Sequence, residues 1–346
     1  MSTMQPILRS LPRLPAPNLW QSKFKGSRAR GHLRVSVMTE DAADAAVKDM
    51  QISDHPQRSI IEIFPGPGQL TRSMVMAGAK KVITVESGET FQESLKALEQ
   101  NSEGRIQHFA MNPLSDPFDE ILLPEHTAIP GLKPQSWDKV HEDVMIVGSI
   151  PNSATGERVL HELLTASIQR MGVFRMGRVE MYMFCYKDAV QRLIAAPGMP
   201  PRNRVTLLAE AAAEITPLVR PGAAHFHLPY DYQLLRLVPH EKPKIETSVD
   251  VMDFCLRSLF TNKSHALNKV IKYERAHAIG SEFLGHPLLG PGAEILLGRL
   301  SFDHNIKVKH MTLDQLNEVA LKFEQWPLRP TVLYDDMIMY ESRRKR

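Results

Sequence analysis

The chain of 346 residues is short of cysteine, of aromatic residues and of long apolar runs. Its two cysteines, Cys185 and Cys255, lie far apart and form no metal or redox spacing, which excludes a disulfide scaffold and fits a reducing compartment. No stretch approaches the roughly 18 uncharged apolar residues of a membrane span. The first 39 residues contain no acidic side chain but seven basic ones: Arg9, Arg13, Lys23, Lys25, Arg28, Arg30 and Arg34. The last four residues, Arg343, Arg344, Lys345 and Arg346, are also basic. Setting these eleven charges aside turns the formal net charge of +3 into −8 for residues 40–342. Basic ends on an acidic body imply a polyanionic partner or a targeting address.

The remaining composition, 43% hydrophobic and 23% charged, is that of a globular chain long enough for one large core and a smaller module. Its first stretch carries Leu8, Leu11, Leu14, Leu19 and Trp20 among arginines, a composition that suits a mitochondrial presequence. Pro6, Pro12, Pro15 and Pro17 oppose a long amphipathic helix there, and a disordered basic arm is the other reading.

Strands and helices alternate along the body. Ser59–Phe64 reads as a buried strand running into Pro65-Gly66-Pro67-Gly68, with a helix over Leu70–Ala79. Lys81–Val85, Arg105–Phe109 and Val144–Val147 read as further strands, with helices at residues 43–51 and 91–100. The alternation predicts a parallel, doubly wound sheet. Ser115–Glu142, proline-rich and irregular, reads as an insertion. Further on, the pattern predicts helices at Gly156–Met171, Lys187–Ala196 and Val205–Ile215. Strands are predicted at Arg178–Tyr186, His225–Leu228 and Gln233–Val238. After Pro239 the lysines and prolines of Glu241–Lys244 mark a linker. Helical periodicity then dominates, at Val249–Phe260, Ala266–His277 and Leu313–Trp326.

The strand, the Gly-x-Gly turn and the helix would place backbone N–H groups at a helix start. Glu86, at the end of the next strand and 18 residues beyond Gly68, could accept both hydroxyls of a ribose. Glu62, Gly66, Gly68 and Glu86 are therefore candidate cofactor residues. Two glycines rather than three suit S-adenosylmethionine (SAM), which has no pyrophosphate, better than a dinucleotide. A tight turn without any ligand is the alternative.

The run Glu62-Ile63-Phe64-Pro65-Gly66-Pro67-Gly68-Gln69-Leu70-Thr71 resembles the rRNA adenine dimethyltransferase family, and most of all its mitochondrial transcription factor B branch. Gly31-His32-Leu33 lies where that family has a Gln-Asn-Phe-Leu cofactor motif. Val85-Glu86, Ala195-Ala196-Pro197-Gly198, Phe226-His227-Leu228-Pro229, Leu237-Val238-Pro239 and Leu259-Phe260-Thr261-Asn262-Lys263 match further family stretches. Residues 177–184 and 333–336 look more like the transcription-factor branch than the enzymes. The resemblance implies an α/β fold: a Rossmann-like SAM-methyltransferase sheet with a small C-terminal helical domain. It divides the chain into a basic N-terminal arm or mitochondrial presequence (1–39), a methyltransferase-like domain (40–244) and a helical C-terminal domain with a basic tail (245–346). Its cofactor set is Leu33, Glu62, Gly66, Gly68, Glu86 and Asn112, the last standing where the family has an acid for the SAM adenine.

One motif departs from the enzymes. They carry Asn-Leu/Ile-Pro-aromatic after the fourth strand, whose amide holds the adenine N6 amine and whose ring stacks on the flipped base. Here the matching residues are Ser149, Ile150, Pro151 and Asn152, with neither amide nor ring in place. Stacking and bidentate base contacts are worth about 1–3 kcal/mol each. Losing both implies several orders of magnitude in the rate of base methylation. The resemblance thus implies a mitochondrial matrix protein that assists a mitochondrial RNA polymerase in melting promoter DNA and holds the non-template single strand. An active dimethyltransferase acting on mitochondrial rRNA is the alternative.

Other residues are weighed on type alone. Lys263, His265, Lys269 and Lys272 could face nucleic acid or be a solvated helix face. Arg343–Arg346 could enter a nucleic-acid channel or be a disordered basic end. His225 and His227 alternate on a strand without a third metal ligand. Met176–Met183 reads as core filling, and Trp137 as either a partner contact or loop packing.

Overall fold

The computed structural model describes residues 11–24, 34–113, 129, 131–228, 230–272 and 296–326. They divide into two compact units, one within residues 1–191 and 212–242, the other within 192–211 and 243–346.

The first unit is built on a seven-stranded sheet. Its strands are β2 (Ser59–Ile63), β3 (Lys81–Val85), β4 (Ile106–Phe109), β5 (Val144–Ser149), β6 (Met181–Tyr186), β7 (Ala213–Pro217) and β9 (Tyr232–Pro239). The order is β4-β3-β2-β5-β6-β9-β7. The first five run parallel, while β9 is antiparallel to β6 and β7 antiparallel to β9. Every residue of β2 and β5 is buried, as a sheet covered on both faces requires. Helices α2 (Glu40–Asp49) and α3 (Gln69–Met76) cover one face. They bury Ala43, Ala46, Val47, Leu70, Met74 and Val75 in one cluster with Ile60, Val82, Met145 and Phe184 of the strands. This is the predicted doubly wound α/β sheet. Chain order reverses between β2 and β5, so their carboxyl ends flank the switch point at which such sheets bind ligands.

Several elements differ from expectation. The helix expected over Val205–Ile215 ends at Ala212, and Ala213–Pro217 forms the edge strand β7. The strand expected at His225–Leu228 is a two-residue piece, β8 (Phe226–His227), which leaves the main sheet and pairs antiparallel with β1 (Ser36–Val37). Residues 11–24 and 34–39 are part of the fold rather than a detached arm. The helix α1 (Trp20–Lys23) is too short to stand alone, yet Trp20 and Phe24 are wholly buried against Phe91 and Leu95. The Trp20 indole N–H donates to the Pro15 carbonyl at 2.9 Å, so its one polar atom is satisfied.

The second unit packs α7 (Arg204–Ala212), α8 (Val249–Phe260), α9 (Leu267–Lys272) and α10 (Leu313–Glu324). Residues 192–211 join this unit rather than the sheet because Leu207 and Ala211 enter its apolar core with Leu256, Leu259 and Phe323. Ser248 caps α8, and Thr312 with Gln315 forms a capping box on α10, so each helix starts where the sequence supplies a side-chain acceptor. Among the described residues no helix is long and apolar enough to cross a membrane.

Candidate functional site

The carboxyl ends of β2, β3 and β5 bring the sequence-predicted residues to one edge. Ile63 is level with Val85 on one side and Gly148 on the other. The turn Phe64–Gly68, Glu86 and Ser149 therefore follow adjacent strands. The turn is demanding: Phe64, Gly66 and Gly68 all have positive φ, at 56°, 60° and 96°. A Cβ on Gly66 would lie 2.0 Å from the Ser36 Oγ, and one on Gly68 would lie 2.5 Å from a Leu98 methyl. Packing within the chain therefore requires both glycines, whatever else the turn does.

Glu86 is fully buried. Its Oε1 accepts from the Gly88 N–H at 2.7 Å and its Oε2 from the Gly66 N–H at 3.4 Å. The Arg34 guanidinium lies 2.9 Å from Oε1 and stacks 4.0 Å from the Phe64 ring centre. Burial pushes the Glu86 carboxyl above its ordinary range, while Arg34 and the backbone N–H groups oppose that rise. Glu62, on β2, is also buried, and the Thr71 hydroxyl donates to it at 2.5 Å. Its carboxyl is pushed up to about 8, first by burial and further by the nearby Glu86, with the Thr71 hydrogen bond opposing. Two neighbouring buried carboxyls, both raised chiefly by burial, are the kind of perturbed pair that clusters at ligand sites.

Two buried donors close to this turn, Ser36 Oγ and Gln69 Nε2, have no hydrogen-bond partner among the described residues, and the same holds for Nη1 of the Arg34 that pairs with Glu86. Buried polar atoms are normally satisfied, so unpartnered donors beside this turn fit a polar ligand. Together with Glu86 and the turn, this donor set fits an adenosyl group. The sequence reading missed Arg34, Ser36 and Thr71. Ser36 and Arg34 follow directly on Gly31-His32-Leu33, the segment matched to a cofactor motif, and that adjacency was the available signal. Leu33 lies outside the described residues, and Asn112 is exposed beyond the end of β4.

At the degraded motif Ser149 ends β5, and Ser149 and Ile150 are both buried. The Ile150 carbonyl accepts from the Tyr232 hydroxyl at 3.1 Å. The segment turns into α5 (Ala154–Gln169) so tightly that a Cβ on Gly156 would sit 1.9 Å from the Pro151 carbonyl oxygen. The backbone path through Ser149–Asn152 is thus held closely.

In the second unit, the Lys263 ammonium donates to the carbonyls of Pro200 and Arg202, at 2.9 and 2.8 Å. Lys263 therefore ties down a loop rather than standing free for phosphate. Lys269 is exposed. Residues 263–266 run antiparallel beside 307–309, where Lys307 is exposed and Lys309 half-buried. The Lys272 side chain and Arg343, Arg344, Lys345 and Arg346 lie outside the described residues. His227 packs on Trp20 and the His225 ring bonds the Thr39 hydroxyl at 2.7 Å. Among the described residues no three His, Cys, Asp or Glu side chains are grouped to hold a metal. Trp137 lies under the Arg170 guanidinium, 4.5 Å from the ring centre, so it packs its loop down.

Comparison with known proteins agrees with this architecture. The chain is similar to the mitochondrial dimethyladenosine transferase 1 of Vermamoeba vermiformis, at 27% identity over 80% of this chain and 85% of the relative. It is 29% identical to the Xenopus tropicalis protein of that name over 58% of this chain, which spans about half (56%) of that relative's length. In structure it is similar to a dimethyladenosine transferase from Plasmodium falciparum, with a TM-score of 0.58 at 15% identity over 84% of this chain and 98% of the other. The 23S rRNA methyltransferase ErmE superposes with a TM-score of 0.50 at 16% identity over 84% and 100%. These likenesses establish the fold as a Rossmann-like methyltransferase fold. The family model for ribosomal RNA adenine dimethylase matches residues 37–290, and the chain belongs to that family.

Proposed function

We propose that this protein is a mitochondrial transcription initiation factor of the transcription factor B branch, working on a dimethylase scaffold without efficient base methylation. The observation that carries the reading is Ser149-Ile150-Pro151-Asn152. The segment keeps the strand-end position at the switch point, beside the turn and Glu86, but carries neither the amide nor the ring that the family uses on its base. In this reading the protein binds rather than modifies. Its basic surfaces, with Lys269, Lys307 and Lys309 on the second unit and Arg343–Arg346 at the tail, hold the phosphates of a melted non-template strand. Its protein partner is a mitochondrial RNA polymerase. The names of its relatives and the basic, acid-free start of the chain support a mitochondrial, matrix location, with any targeting segment ending before Leu11, because Trp20 and Phe24 belong to the core.

SAM remains a ligand of this reading. Glu86 would take the ribose, and the turn at Gly66 and Gly68 with Ser36 and Gln69 would line the rest. When bound, SAM supplies an electrophilic methyl group on a sulfonium. The second reading, a SAM-dependent dimethyltransferase of mitochondrial small-subunit rRNA, is favoured by that donor set and by the relatives' names. Run-off transcription on a linear mitochondrial promoter separates the first reading from its failure. Adding the protein to its matched polymerase should raise full-length product at least several-fold; no stimulation rejects the initiation role.

A further inference from the structure

We infer that Arg34 is a gate on the ribose acid and sets how tightly the site takes an adenosyl ligand; this rests on the reading of Glu86 as that acid. A ribose diol offers two neutral O–H donors and needs both oxygens of a carboxylate. In the structure Glu86 Oε1 is already taken by Arg34 Nη2 at 2.9 Å and by the Gly88 N–H, and Oε2 faces the Gly66 N–H. The pair is deeply placed, with side-chain exposures of 12% for Arg34 and 0% for Glu86. The guanidinium is also braced by the Phe64 ring and by the Ser87 hydroxyl, 3.4 Å from Nη2.

A charge-assisted bond to a buried carboxylate is roughly twice as strong as a neutral one, so hydroxyls do not displace Arg34 freely. The closed position is nonetheless imperfect. Arg34 Nη1 is buried without an acceptor among the described residues, and burial lowers the arginine's affinity for its own proton. Phe64, which backs the guanidinium, sits at a φ of 56° that a non-glycine residue adopts only under constraint. The gate is therefore a poised contact that Arg34 closes on Glu86 and that is released when a diol takes over the carboxylate. Affinity for the ligand is reduced by the fraction of molecules that are open. Arg34 is a positioning and specificity residue, not a catalytic one.

Calorimetric titration of the full chain with S-adenosylhomocysteine tests this, using wild type, Arg34→Met and Arg34→Lys. The methionine variant keeps the apolar stem over Phe64 and removes the competing donors, so it should bind at least about tenfold more tightly than wild type. Lysine keeps a cation beside Glu86, which protects folding, but lacks the fork, so it should fall between the two. The gain should vanish for a 2′-deoxy analogue, which lacks half of the diol, whereas a general loosening of the fold would act on both ligands. Affinity equal to or below that of wild type in either folded variant overturns the gate. Strong wild-type binding that weakens in the variants keeps the adenosyl reading and rejects only the gate. No binding by any of the three proteins rejects both.

Discussion

Replacing Glu62 by glutamine should flatten the pH dependence of stability. Glu62 is enclosed by β2 and α3, and its carboxyl is raised from 4.5 to about 8, chiefly by burial. A carboxyl with a raised folded-state pKa binds its proton more tightly folded than unfolded. Its contribution is most favourable below the unfolded value, and stability is lost as pH climbs from about 4.5 to about 8. At about 1.4 kcal/mol per pH decade, that interval sets a ceiling of about 5 kcal/mol on the loss. Glutamine keeps an acceptor for the Thr71 hydroxyl and has nothing to ionise. Urea unfolding at intervals from pH 5 to pH 9 measures the effect as the difference between variant and wild type. That difference should move in favour of Glu62→Gln by a few kcal/mol across the interval. An offset superposed on that trend reports the amide's different packing; a difference that stays constant from pH 5 to pH 9 refutes the reasoning.

Three further substitutions probe the framework. Trp20→Ala removes a wholly buried ring and should cost about 3–5 kcal/mol in urea unfolding, whereas a loss under about 1 kcal/mol would mean that residues 11–24 do not belong to the core. Gly66→Ala forces a Cβ onto the Ser36 hydroxyl and should destabilise by about 1–3 kcal/mol. Adding Ser36→Gly should recover part of that loss in thermal melts, and strict additivity of the two changes would contradict the contact. Glu180, nearly buried between Arg58 at 2.5 Å and Arg236 at 2.8 Å, anchors the amino-terminal edge of the sheet. Glu180→Ala leaves Arg58 buried and unpaired and should cost about 3–5 kcal/mol in urea unfolding, while a near-neutral result would mean that water reaches the pair.

The parallel core was legible because Ser59–Ile63, Lys81–Val85 and Val144–Val147 are apolar runs bounded by breakers, and burial on both faces leaves few alternatives for such runs. The strand β7 was not legible. Its Ala213-Glu214 continue the alanine-rich helical pattern of the preceding residues, and only pairing with β9, across a loop, decides its state. The burial of Trp20 and Phe24 depends on Phe91 and Leu95, some seventy residues on, and prolines nearby disguised the segment as unstructured. At the site, Gly66, Gly68, Glu62 and Glu86 announce themselves by spacing. Arg34 does not, because one arginine in an acid-free stretch carries no sign that its partner lies 52 residues away. Lys263 shows the converse: a lysine read as a candidate phosphate contact is committed to two backbone carbonyls, a use that composition does not reveal.

On the proposed reading, the strand-end segment Ser149–Asn152 keeps the family's backbone position without its base-handling chemistry. Transfer of tritiated methyl from SAM to the mitochondrial small-subunit rRNA hairpin, with an active family dimethyltransferase run in parallel, measures that directly. Incorporation should fall several orders of magnitude below the active enzyme, at the level of a protein-free control. Dimethylation of the paired adenines at a rate within tenfold of that enzyme would contradict the claim and establish the methyltransferase reading instead.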